Sequence, residues 1–355
     1  YVKISKENND HISISALLTL SRLYQEIDLS KSLHYLEMVR DEEIANGKSS
    51  EELSEVLLNN IGVFSLLESK VTEAENSFEN ALKIAKDKYK TDKNPIEITL
   101  KYNIARAKET NKDPKSVSQA MKIYEDIINE CPKYTSARIR WLIISCLSDN
   151  KNINEEVNKL LEDETSDLQV RSFYGWYIKR FGKRNGLKGS KDMETDHHKE
   201  TLTKYTSHDC YALVSLANVY LSLARELKDI SKKDQYYGRA AQLYHKVLDI
   251  DSKNVYAAQG IAIILAEKKQ TGLALEFFRK VRDSLNDITV YLNLGHCLVE
   301  AKQFAKAIES YQLALTRFTN GKDARLLNYF GRAWFLRGVN EKNLDSLKMA
   351  LKYAT

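Results

Sequence analysis

Turn-making residues are scarce in this chain, with three prolines and thirteen glycines among 355 residues, well below the usual share of each. Sheet-rich folds need such residues at their turns and bulges, so the deficit argues for helices instead. Cysteine is also scarce. Cys131, Cys146, Cys210 and Cys297 lie far apart in sequence, with no CxxC pair and no Cys/His ligand spacing. They are expected to be reduced, buried thiols of a cytosolic or nuclear protein. There is no run of about 18 uncharged apolar residues, so no membrane span is expected. The opening residues YVKISKENND lack the basic-then-apolar layout of a signal peptide. No initiator methionine precedes Tyr1, and the chain is expected to be part of something longer. The net charge of +5, from 54 basic and 49 acidic residues, is too balanced to point to nucleic acid by itself.

What the chain does have is tyrosine, 20 against 10 phenylalanines and 3 tryptophans, and an internal repeat. Gly295, Ala307, Tyr311 and Ala314 are spaced 12, 4 and 3 residues apart. So are Gly62, Ala74, Phe78 and Ala81, and again Ala262, Ala274, Phe278 and Val281. Other copies keep the 4, 3 tail and vary the first interval: Ala105, Ala120, Tyr124 and Ile127; Gly331, Ser346, Ala350 and Tyr353; Ala217, Ala240, Tyr244 and Val247; Ser21, Ser32, Leu36 and Val39. Helix crossing explains the pattern. Small residues on two helices let their backbones approach, and an aromatic one turn further on fills the space beside the contact. Each hairpin leaves apolar surface that its neighbour covers.

The repeat resembles the tetratricopeptide repeat (TPR), a helical hairpin of about 34 residues. With Arg138–Ser148 and Val170–Phe181 as two further first helices, about nine hairpins are expected. The implied fold is an all-α, right-handed superhelical solenoid. We divide it into an N-terminal array over 1–181, a divergent loop and short helix over 182–207, and a C-terminal array over 208–355. Residues 182–207 and the insertion Arg225–Gln235 are charged and are expected to be solvated.

No enzyme signature is found and no cofactor is expected. The segment Gly186–Lys191 (GLKGSK) lacks the spacing of a phosphate loop. Asp196, His197 and His198 are adjacent on one helix, so they cannot jointly face a metal, and they read as a solvated helix end. His296 reads as a polar groove residue without a general-base partner. Lys179, Arg180, Lys183 and Arg184 head the densest basic patch. A solvated edge is the plain reading, and contact with an acidic protein segment is the functional one.

The TPR resemblance implies that first helices line a concave groove, at positions flanking each small residue. Here those include Tyr211, Val214 and Asn218 around Ala217; Tyr256, Gln259 and Ile263 around Ala262; Leu292 and His296 around Gly295; and Arg325, Asn328 and Arg332 around Gly331. An extended peptide or short helix would fit such a surface. Val214 stands where chaperone-binding TPR proteins carry a clamp lysine, which argues against that subclass.

A more specific resemblance runs from Tyr211 to Phe318. The stretches VYAAQGIAIILAEK, FFRKVRDS and VYLNLGHCLVEAKQFAKAIESYQ resemble the family of TPR scaffold subunits of the RNA polymerase II-associated factor (PAF) complex, fungal type. That resemblance implies a nuclear, non-enzymatic subunit that binds the complex's eponymous subunit and the parafibromin-type subunit. It would reach RNA polymerase II through the complex and support elongation and histone modification, without a membrane and without direct nucleic-acid contact. A TPR adaptor for chaperone or transport partners, and a regulatory array attached to an enzyme, stay open as alternatives.

Overall fold

The computed structural model describes residues 13–89, 95–111, 113–148, 153–182 and 189–354. Among these, eighteen α-helices and no strands are found, and they fall into nine consecutive hairpins. The chain forms two compact units that divide between Thr165 and Ser166.

The first unit pairs α1 (Ile14–Tyr24) with α2 (Leu29–Ala45), α3 (Glu55–Leu67) with α4 (Val71–Lys88), α5 (Pro95–Thr110) with α6 (Pro114–Glu130), and α7 (Thr135–Leu147) with α8 (Ile153–Asp163). The second pairs α9 (Leu168–Phe181) with α10 (Ser190–Glu200), α11 (Cys210–Glu226) with α12 (Ile230–Ile250), α13 (Val255–Glu267) with α14 (Thr271–Ser284), α15 (Ile288–Glu300) with α16 (Phe304–Phe318), and α17 (Ala324–Glu341) with α18 (Leu344–Ala354). Within each unit every helix packs on the next in sequence. First helices of successive hairpins also touch: α3 with α5, α9 with α11, α11 with α13, and α13 with α15. Helices on the inner side of a curved stack approach most closely, so the first helices form the inner row.

The small–aromatic–small positions carry this packing as expected. Ala74, Phe78 and Ala81 are fully buried, as are Ala120, Tyr124 and Ile127, and Ala240, Tyr244 and Val247. A Cβ added at Gly62 would lie 2.6 Å from the Phe78 ring, and one at Gly295 would lie 2.4 Å from the Tyr311 ring. Such distances exclude any side chain at these crossings without repacking. Tyr244 reaches past its own hairpin as well, since a Cβ at Gly260 would come within 2.2 Å of its ring.

Local chemistry sets the helix ends. All five first helices of the second unit start at an Asx cap: Asp167, Asp209, Asn254, Asp287 and Asp323 each accept from a backbone N–H of the first turn. This satisfies donors that the helix itself leaves unpaired. In the first unit polar networks tie neighbouring helices together. Glu55 is buried and accepts from Lys88 Nζ at 3.1 Å and Tyr89 OH at 2.9 Å. Glu109 accepts from Arg106, Tyr124 and Arg140.

The fifth hairpin departs from expectation. The sequence reads Asp196–His198 as a solvated helix end, yet His197 and His198 are buried, at 7% and 1% exposed. Helix α10 packs on α9 and α11, so its inner face is core. A Cβ at Gly175 would lie 2.5 Å from the His198 ring. His198 therefore takes the place that Phe78 and Tyr311 take elsewhere. With Glu194 and Thr201, also buried, it completes a 4, 3 tail in polar residues. A π-helical turn, Thr201–Tyr205, closes the hairpin.

Candidate partner-binding groove

The inner row of the second unit carries two cavities. The larger, of about 810 Å³, is lined by α9, α10, α11 and α13, with Trp176, Lys179, Arg180, Glu194, Tyr211 and Tyr256 among its walls. The smaller, of about 470 Å³, is lined by residues of α11 to α15, including Ile263, Phe278 and His296.

The larger cavity joins two features that the sequence kept apart. Lys179 and Arg180, from the basic patch, share it with Tyr211, Val214, Asn218 and Tyr256, from the groove set. Lys183 and Arg184 lie outside the described residues. Tyr211 and Tyr256 stay 40% and 59% exposed, which is unusual for large aromatics on a packed helix and leaves their faces available. Asn218 is half-buried and accepts from Tyr244 OH at 2.7 Å. That bond fixes its side chain with the amide nitrogen still able to donate. Burial raises the pKa of Tyr244, as it does for Tyr211, so both remain neutral donors.

The other groove positions are distributed as follows. Ile263 is half-buried and His296 is exposed along one side; both line the smaller cavity. Tyr311 OH lies 2.7 Å from His296 Nδ1, and the Tyr329 ring meets the imidazole edge-on at 4.6 Å. Shielding of the ring from water first, and Arg332 second, push the His296 pKa down, so the ring is neutral at physiological pH. Gln259 is buried, with its Nε2 3.4 Å from Thr289 Oγ1, and acts as a tie between α13 and α15. Leu292 is half-buried against the C-terminal core. Arg325, Asn328 and Arg332 are exposed on α17 and line neither cavity.

Sequence reasoning missed Trp176, Glu194 and Asn254 as cavity residues. Counting 3 and then 4 residues back from Thr201 would have placed Glu194 at the small-residue position of its hairpin. Among the described residues no group of three or more His, Cys, Asp or Glu could hold a metal ion, and no helix is long and apolar enough to cross a membrane. The four cysteines are free; Cys146 and Cys297 are buried, and Cys131 and Cys210 are half-buried.

Fold and groove define an all-α solenoid of tetratricopeptide-type hairpins with an aromatic and amide-lined inner row. No protein-family model matches the chain. Over its whole length the chain is 40% identical, across 373 aligned residues, to 33% of the RNA polymerase-associated protein CTR9 of Saccharomyces cerevisiae. It is 33% identical across 345 residues to tetratricopeptide repeat protein 1 of Schizosaccharomyces pombe, covering 95% of this chain and 32% of that one. The corresponding figures for CTR9 of Caenorhabditis elegans are 26% across 367 residues, 98% of this chain and 30% of that one. The chain thus spans about a third of the length of these curated relatives. The resemblance read between Tyr211 and Phe318 extends to the complete chain, and identity is higher to the two yeast proteins than to the nematode one. Among solved structures, a thermophilic TPR protein of Thermus thermophilus aligns with 57% of this chain and 99% of its own, at 13% identity and a TM-score of 0.47.

Proposed function

We propose that this chain is a non-enzymatic scaffold segment of an RNA polymerase-associated factor complex. Its role is to hold extended segments of partner subunits along the inner row of residues 166–355. The observation that carries the reading is the larger cavity, where exposed Tyr211 and Tyr256 stand beside Asn218, Lys179 and Arg180. Aromatic faces give a partner's apolar side chains something to bury against, and the amide can bond its backbone. The likeness to CTR9 over the whole chain supplies the context. In that context the partners are the eponymous and parafibromin-type subunits, the polymerase is reached through them, and the setting is nuclear, with elongation and histone modification as the outputs.

The test is reconstitution with those two subunits. Replacing both Tyr211 and Tyr256 by alanine should weaken capture by about tenfold or more, as expected for aromatic anchors, with helicity unchanged. Capture at the wild-type level would remove the groove from this role. Capture of a short C-terminal peptide in place of the two subunits would favour a transport or chaperone adaptor.

A further inference from the structure

Glu194 occupies, on α10, the position where the other second helices of this unit carry Ala240, Ala274, Ala307 and Ser346. It is only 6% exposed, and it lines the larger cavity. Among the described residues no hydrogen bond or ion pair reaches its carboxylate. Lys179 and Lys191 are close enough to favour its charge, but burial outweighs them and holds the carboxyl above the usual carboxylate range. Lys191 is engaged elsewhere, by Ser222 Oγ at 3.1 Å and by Glu226, and Lys179 is exposed at the rim. Its oxygens open on the cavity and are not sealed in the core, and a carboxylate drawn largely out of water is costly without a counter-charge. The cost is removed when a cation arrives with its own hydrogen bonds.

The walls suit that cation. Trp176, Tyr211 and Tyr256 line the same cavity, and aromatic faces attract ammonium and guanidinium groups most strongly where water is displaced. Asn218 and Asn254 add neutral amides. The two exposed cations, Lys179 and Arg180, sit at the mouth. They select against a segment of uniform positive charge, so the fit is to one basic side chain in an otherwise apolar or acidic stretch.

We propose that Glu194 and the aromatic walls of this cavity seat a single basic side chain, lysine or arginine, projecting from the bound partner segment; this rests on the groove reading above.

Three acetylated and amidated peptides, Ala-Tyr-Xaa-Tyr-Ala with arginine, norleucine or glutamate at Xaa, would be titrated against the full chain and against Glu194→Gln at neutral pH. The arginine peptide should bind about tenfold more tightly than the norleucine peptide. That preference should vanish in Glu194→Gln, while norleucine binding persists. A second readout avoids reliance on the variant's folding. In the wild-type chain, the carboxyl 13C titration midpoint of Glu194 should fall when the arginine peptide is added and stay put with norleucine. Equal binding of all three peptides, an arginine preference that survives Glu194→Gln, or an unmoved midpoint would overturn the assignment while leaving the groove intact. Failure of all three peptides to bind would overturn the assignment, while the groove reading stands or falls on capture of the two subunits.

Discussion

Four of the turns inside hairpins place a non-glycine residue in the left-handed region: Ser69, Lys269, Lys302 and Lys342, with φ of 65°, 62°, 58° and 53°. At all four the chain closes the first helix in the same way. Lys70, Gln270, Gln303 and Asn343 donate back to Ser65, Leu265, Leu298 and Gly338, five residues earlier. That is the six-to-one bond of a Schellman ending, which glycine normally accommodates. The scarcity of glycine noted in the sequence is therefore met partly by strain. Lys302 is exposed and its side chain contributes little packing. Replacing it with glycine should raise the unfolding free energy by about 1 kcal/mol, visible as a higher urea midpoint at constant slope. A lower midpoint would show that the lysine side chain matters more than its backbone geometry.

At the scale of the element, the fifth hairpin is the exception. Its crossing is built from polar groups: Arg171 is 3% exposed, donates Nε to Thr201 Oγ1 at 2.8 Å, and lies over the Tyr205 ring at 4.2 Å. His197 Nε2 lies 2.8 Å from the Arg171 carbonyl, and His198 Nε2 has no partner among the described residues. Burial holds both imidazoles below the ordinary histidine range, His198 at about 3. The unfolded chain takes up protons at these histidines below about pH 6.5, and the folded chain does so only at lower pH. The stability they carry is thus complete above that value and is lost as the pH drops through it. His198 alone should cost about 2 kcal/mol by pH 5. Glu194, whose pKa is raised by burial, works in the opposite sense, since as the pH falls the folded chain takes up this proton before the unfolded chain does. His198→Phe, which restores the residue type at Phe78 and Phe278, should remove most of this acid sensitivity, read as the change in urea midpoint between pH 7 and pH 5. An unchanged pH dependence would place the labile element elsewhere. This hairpin also marks the limit of what was legible. Ala–aromatic–small triplets announce themselves by residue type. Ile153–Val157–Leu160 in α8 and Glu194–His198–Thr201 in the fifth hairpin hold the same buried positions with chemistry that a search for small residues passes over.

Across the whole molecule, recurrence made the architecture readable. Seven of the nine hairpins follow from one spacing rule because each crossing poses the same steric problem, and each unit is stabilised by neighbour-to-neighbour packing. The groove was less legible, because side chains next to one another on a first helix divide between inter-helix ties and open walls. Gln259 and Tyr256 are three residues apart, yet one is buried against Thr289 and the other is 59% exposed. Burial by the neighbouring hairpin decides which is which, and one helix's periodicity does not contain that information. The central claim is that the inner row of residues 166–355 holds the partner segments. Amide hydrogen exchange of the chain, alone and bound to the eponymous and parafibromin-type subunits, tests it most directly. The account predicts that protection gained on binding is concentrated in α9, α11, α13 and α15, strongest around Tyr211–Asn218 and Tyr256–Ile263. Protection confined to the second helices α12, α14 and α16, with the first helices unchanged, would contradict it.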